Sequence, residues 1–427
     1  MKYKGLLSVF FVIAVLSSCK VQNKTAVNSD SLTSRKEMKK EMNPFISAMK
    51  VEYILKDSTE IVVFLNATIE NLEENEIGSI EDLADRFRVN WALQAPTGIK
   101  EKYETGRVNF EEVEASLLEQ KLNMVFEIPR LREFQEASLS MEFIDISASR
   151  KFTNESYVDF NAQRPNRRFG MYLENQDMPF FDAYVNVGNK VTFKSMDGFE
   201  HPLILKRYRT EAPAALSPMS SSKRNELVGF KEEETIKFKS GEELRLDKEG
   251  TYVLYDQEKY DAGYGFMVVD ERYPRLSEEE ELTEPLVYMS TNDEINNLKG
   301  AEDFKKALDL YFLNMTSGNQ ALAKQIIRSY YRRVKRANEL FTTYKEGWKT
   351  DKGMIYTVLG PPSRIQRNGM REVWLYSQSA NFSEIIFTFY RKPNQFSEDH
   401  YELVRYPEYG AYWYPFVEAW RTGSIME

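Results

Sequence analysis

A chain of 427 residues exceeds one average domain and has room for two or three, each large enough to bury a core. Its 57 basic and 66 acidic residues leave a net charge of -9, which excludes an overall basic field, so no nucleic-acid partner is expected. Only two histidines occur, His201 and His400, far apart in sequence; this argues against zinc hydrolysis and Ser-His-Asp chemistry, and no metal or cofactor is expected.

Lys2 and Lys4 precede an apolar run from Leu6 to Leu16, too short to span a bilayer comfortably and followed by small polar residues, the pattern of an export signal. Its end, Leu16-Ser17-Ser18-Cys19, resembles the lipobox of bacterial lipoproteins, in which the cysteine becomes the acylated first residue after cleavage. The resemblance implies a signal peptide over 1–18 and a membrane-lipid partner reached through Cys19. Cys19 is also the only cysteine, so the mature monomer can hold no disulfide. Lys20 stands where an Asp retains many lipoproteins in the inner membrane, and Lys20-Val21-Gln22-Asn23-Lys24 lacks the acidic cluster of surface-exported ones. Both point to the outer membrane, on its periplasmic face. Residues 19–47, rich in Lys, Ser, Asn and Glu, read as a flexible tether.

Alternation begins with Val51, Tyr53 and Leu55, turns around Asp57-Ser58, resumes at Ile61, Val63, Leu65, Ala67 and Ile69, and returns at Leu139, Met141 and Phe143. This predicts a β-sandwich over 48–160. A second β-sandwich is expected over 161–272, with a hairpin turning at Gly188-Asn189 and short strands at Thr235–Phe238, Leu244–Leu246 and Thr251–Tyr255. Gly250-Thr251-Tyr252 resembles the Gly-x-Tyr step of immunoglobulin-like sandwiches. Residues 273–300 read as a linker, with Glu278 to Glu281 a solvated acidic run.

From Ala301 the apolar spacing becomes helical. Phe304, Leu308, Tyr311 and Phe312 make one stripe; Leu322, Ile326, Ile327, Tyr330, Val334, Ala337 and Phe341 make another, separated by Thr316-Ser317-Gly318-Asn319. The basic residues of the second helix read as its solvated or ion-paired back. Strands at Val373–Tyr376 and Ile385–Tyr390, with an Asn368-Gly369 turn before them, complete an α+β domain over 301–427, a helical pair and a small antiparallel sheet. The fold class is therefore two immunoglobulin-like β-sandwich units followed by an α+β domain.

Residues 346–362, EGWKTDKGMIYTVLGPP, are the densest stretch. If the second helix ends near Glu346, Gly347 takes a left-handed position after it and Trp348 packs back on the last turn. Thr350-Asp351-Lys352-Gly353 then fits a turn, Met354 to Leu359 a strand, and Gly360-Pro361-Pro362 a stop. Gly347, Trp348, Thr350, Asp351, Gly353, Gly360, Pro361 and Pro362 are thus read as structural. No His or Cys stands nearby to make Asp351 or Thr350 catalytic, and no catalytic residue is assigned. Ser220-Ser221-Ser222-Lys223 has a Ser-x-x-Lys pattern without companion motifs, and Gly263-Tyr264-Gly265 lacks the third glycine of a dinucleotide site.

Gly347-Trp348-Lys349-Thr350-Asp351, with Gly353, Leu359-Gly360-Pro361-Pro362, Tyr331-Arg332-Arg333-Val334 and Ala337-Asn338, resembles the GWxTD domain family of exported Bacteroidota proteins. The Phe-Trp-x-x-Arg-Asp-Pro step of many members is replaced here by Tyr311-Phe312-Leu313-Asn314-Met315-Thr316. The expected function is a lipid-anchored, non-catalytic binding or assembly module for an envelope protein partner. The alternatives are a glycan-binding lipoprotein, through aromatics such as Trp413 and Trp420, or a hydrolase whose site cannot be read from sequence.

Overall fold

The computed structural model describes residues 45–70, 80–96, 101–118, 121–147, 149–161, 163–209, 212–222, 230–257, 262–368, 370–377 and 384–425. The expected signal peptide, Cys19, most of the tether, Lys223 and Gly369 lie outside these residues. The last tether positions, 45–47, already belong to the first strand.

In the first module, β1 (Phe45–Leu55) and β2 (Glu60–Glu70) pair antiparallel across a turn closed by Asp57, whose Oδ1 accepts from Thr59 N at 2.6 Å and Glu60 N at 3.0 Å. After α1 (Ile80–Arg86) come β3 (Phe87–Gln94), β4 (Lys102–Arg107), β5 (Glu114–Leu118), β6 (Lys121–Pro129), β7 (Glu136–Asp145) and β8 (Arg150–Asp159). Two antiparallel sheets result, β1-β2-β6-β5 and β4-β3-β7-β8. Alternate residues face one core: Tyr53, Ile61, Val63 and Leu65 from the first sheet meet Val89, Leu139, Met141 and Phe143 from the second.

The second module contains β9 (Phe169–Leu173), β10 (Tyr184–Asn186), β11 (Lys190–Ser195), β12 (Pro202–Arg209), β13 (Lys231–Lys239), β14 (Glu243–Arg245), β15 (Gly250–Asp256) and β16 (Tyr264–Val269). They form the sheets β14-β11-β9 and β10-β16-β15-β12-β13 around Phe193, Leu203, Leu254 and Phe266. The hairpin expected at Gly188-Asn189 does not form. β10 pairs parallel with β16, whereas β11 pairs with β9 and β14, so this turn carries the chain from one sheet to the other.

Residues 273–300, expected as a linker, are instead built into the third module. Glu278 opens α2 (Glu279–Thr283) with a capping box, its backbone N–H donating to Glu281 Oε2 at 3.3 Å. A 3-10 turn (Glu284–Tyr288) and α3 (Asn292–Lys299) then deliver Leu286, Tyr288, Met289 and Leu298 to the core. The acidic run is solvated, as its composition predicts, but its charges sit on the first turn of a helix, where they favour the helix dipole.

The helical pair is α4 (Phe304–Met315) and α5 (Gln320–Phe341), capped by Asp303 and Asn319. After a 3-10 turn (Gly347–Lys349) come α6 (Asp351–Leu359), the antiparallel sheet of β17 (Arg364–Asn368), β18 (Arg371–Tyr376), β19 (Ile385–Arg391) and β20 (Tyr401–Leu403), and α7 (Gly410–Arg421). No helix among the described residues is long and apolar enough to cross a membrane.

Candidate functional site

The dense stretch forms a corner, though not the one its spacing predicts. α5 ends at Phe341, five residues before Glu346, and Gly347 has no left-handed φ. Glycine is required there by space: a Cβ would lie 2.2 Å from the Ala337 carbonyl oxygen on α5. Trp348 is 1% exposed. Its N–H donates to Asn338 Oδ1 at 3.0 Å, its carbonyl accepts from the Tyr288 hydroxyl at 2.9 Å, and its ring meets Tyr288 edge-on at 5.8 Å. Ala337-Asn338 and Gly347-Trp348 are therefore two halves of one contact.

Met354 to Leu359 is a helix and not a strand. Met354, Ile355, Val358 and Leu359 are buried at spacings of one, three and four, while Tyr356 is half-buried. Thr350 is its N-cap: the Oγ1 accepts from Gly353 N at 3.0 Å and donates to the Gly347 carbonyl at 2.7 Å. The left-handed glycine that ends the element is Gly360, at φ +87°. Gly353 lies against Gly347; a Cβ there would fall 1.9 Å from the Gly347 carbonyl oxygen, a backbone atom that no rotamer change can move. Gly353→Ala should cost about 3 kcal/mol or more in urea unfolding; a loss below about 1 kcal/mol would mean that the corner has slack.

Asp351 is buried, and both its oxygens are engaged. Oδ1 and Oδ2 receive Arg405 Nη2 and Nη1 at 2.5 and 3.0 Å, and Oδ2 also accepts from Leu403 N at 2.6 Å. Arg405 goes on to the carbonyls of Leu216 and Ser217, at 3.2 and 3.3 Å, which ties the motif to the second module. Trp420 packs edge-on against Tyr330 of α5 at 5.3 Å and donates Nε1 to the Val358 carbonyl at 3.0 Å. Trp413 and Trp420 are both buried, so neither offers a platform to a glycan; Tyr406 and Tyr414 are the exposed aromatics nearby.

A second set of residues was not singled out from sequence. Arg164-Pro165-Asn166-Arg167-Arg168 joins the two sandwiches; three of its side chains reach the first or third module, and Arg168 reaches back into the second sandwich. Arg167, 4% exposed, pairs with Glu52 at 3.1 Å and with Glu398, donates to the Tyr53 carbonyl at 3.1 Å, and stacks 4.1 Å over the Tyr53 ring. Asn166 donates to Glu398 at 2.9 Å, Arg164 to the carbonyls of Gly263 and Asn394, and Arg168 pairs with Asp256. Arg391 of β19 shares Glu398 at 3.5 Å, reaches Asp399 at 3.2 Å, and lies 4.7 Å over the Tyr157 ring of β8. The available signal was three arginines within five residues at a predicted domain boundary, where exposed arginines have no local partner.

Between the three modules lies a cleft of about 400 Å³, within the size range of small-ligand pockets. Glu52 of β1, Asp182 and Tyr264 of the second module, and Lys352, Arg367 and Asp399 of the third all line it. Thr350 and Lys352 make the motif part of its wall. Lys352 Nζ and Arg367 Nε both contact Glu372 Oε2, at 3.0 and 3.2 Å, and Trp374 Nε1 occupies the other oxygen at 2.6 Å. Burial would raise the Glu372 carboxyl, but the two cations outweigh it and hold the group below the usual carboxylate range. Glu52 goes the other way: burial pushes it up against the pull of Arg167 and Lys50, although its side chain keeps 26% exposure.

Of the two histidines, His400 lines the cleft and His201 sits in the second module, 2.8 Å from Asp197; the fold does not bring them together. No group of three His, Cys, Asp or Glu able to hold a metal ion occurs among the described residues.

Residues 250–422 match the GWxTD domain, so the chain carries a GWxTD domain that begins within β15 of the second sandwich. No curated protein matches the chain. Among solved structures, the crystal structure of Dpr2 Ig1-Ig2 in complex with DIP-Theta Ig1-Ig3 is 12% identical, over 53% of this chain and 66% of that chain, with a TM-score of 0.17. A likeness that slight carries no argument, and the sandwich assignment stands on the sheets themselves.

Proposed function

We propose that this GWxTD-domain protein is an exported lipoprotein of the Bacteroidota type, anchored through acylated Cys19 to the periplasmic face of the outer membrane. There it acts as a non-catalytic binding or assembly module for an envelope protein complex. The observation that carries the reading is the fate of the motif. Thr350 caps a helix, Asp351 is saturated by Arg405 and Leu403 N, and Gly347 and Gly353 permit backbone contact, so the motif spends its polar groups on building its own corner and on holding Arg405, which reaches the second module. A group whose oxygens are all committed to structural donors is poorly placed for proton transfer. Three modules fastened through such joints present fixed faces, which is what a docking module requires.

Two measurements test it. Cys19→Ser should abolish incorporation of labelled palmitate and release the protein from membranes; retention of both would remove the anchor from the proposal. Protein extracted in mild detergent after crosslinking in intact cells should be recovered with a defined envelope partner; recovery only as a free monomer would overturn the assembly role.

A further inference from the structure

The cleft between the modules holds binding capacity of both signs that the protein leaves unused. At the motif side, Arg367 is 46% exposed and commits only Nε, to Glu372; its two terminal nitrogens have no partner among the described residues. That leaves a planar fork of the kind that grips a carboxylate. Lys352 stands beside it on the same Glu372 oxygen, so one carboxylate serves two cations. At the hub side, Asp399 is 57% exposed and uses only Oδ1, toward Arg391, while Oδ2 has no partner among the described residues. Glu52 lines the same cleft with Oε2 already on Arg167 and Oε1 without a partner among the described residues.

These features restrict the occupant. A wall of charges disfavours an apolar ligand, because desolvating them without partners is costly. A simple anion would suit Arg367 and Lys352 but bring negative charge toward Asp399 and Glu52; a simple cation would do the reverse. A ligand carrying both an ammonium and a carboxylate answers both ends. Phe181, Tyr184 and Tyr264 line the cleft as well, and aromatic surface of this kind packs against a short chain of small residues. We propose that the cleft binds a small zwitterion, an amino acid or short peptide, with its carboxylate on Arg367 and Lys352 and its ammonium on Asp399 and Glu52. This site depends neither on the lipid anchor nor on the protein partner proposed above.

Calorimetric titration of the full-length protein in detergent with trialanine, N-acetyl-trialanine, trialanine amide and inorganic phosphate tests it. Trialanine should bind at millimolar concentration or below, and capping either end should weaken it by about ten-fold or more. Arg367→Gln should weaken trialanine by about ten-fold and leave the amide unchanged; Asp399→Asn should do so for trialanine and leave the acetylated peptide unchanged. Both side chains are about half exposed, so the variants should melt as the parent does. Absence of heat with trialanine, equal affinity for the capped peptides, or binding of phosphate alone would overturn the proposal.

Discussion

Trp348→Ala should lower the stability of the C-terminal module by about 3–5 kcal/mol, the usual cost of emptying a buried tryptophan site. The ring is 1% exposed and sits where α5, α6 and the Glu284–Tyr288 turn converge. Its neighbours cannot close the space readily, because Gly347 and Gly353 already hold the surrounding backbones in contact. The indole Nε1 has no acceptor among the described residues and is shut from solvent, so Trp348→Phe removes an unsatisfied donor as it removes volume; its loss should be clearly the smaller of the two. Four of the five tryptophans, Trp348, Trp374, Trp413 and Trp420, lie in this module, so fluorescence-monitored urea unfolding reports on it directly. Circular dichroism at the same urea concentrations controls for the missing fluorophore. An alanine loss below about 1 kcal/mol would show that the ring is a contact surface instead of a core residue.

Much of this architecture is legible in the residues. Val51-Tyr53-Leu55 and Leu139-Met141-Phe143 alternate because one face of each strand is buried, and the stripes at Phe304–Phe312 and Leu322–Phe341 follow helical spacing for the same reason. The residue pattern reads Gly347 and Gly353 as structural through left-handed φ and turn chemistry, whereas the structure leaves no room for a Cβ at either, against Ala337 and Gly347. That requirement comes from a neighbouring element and leaves no local trace. The pattern of Met354–Leu359 predicts a strand because six mostly apolar residues satisfy both periods; the deciding signal is Thr350 followed by Asp351, an N-cap and a first-turn acid. The cleft is the least legible feature. Glu52, Arg167, Lys352 and Asp399 are scattered over most of the chain, and only the packing of three modules brings them together.

Arg167 links the first module to the third, through Glu52 and Glu398. Arg167→Met should cost about 3–5 kcal/mol, because it leaves Glu52 and Glu398 near each other with the charge between them gone. Arg167→Lys should recover little: one ammonium cannot reach Glu52, Glu398 and the Tyr53 carbonyl in the geometry of a planar fork. The origin of the penalty can be isolated. If uncompensated carboxylates cause it, adding Glu52→Gln and Glu398→Gln to Arg167→Met should restore a substantial part of the lost stability, although the contacts of Glu398 with Asn166 and Arg391 are weakened as well. The structural consequence should be specific as well. Arg167 lies between the sandwiches and bonds forward to the third module, so its loss should split one cooperative unfolding transition into separate ones and open the 160–170 segment to protease. A single transition within about 1 kcal/mol of the parent, with that segment still protected, would mean that the apolar contacts of Ile204, Val253, Tyr344 and Phe396 hold the modules together without the ionic hub.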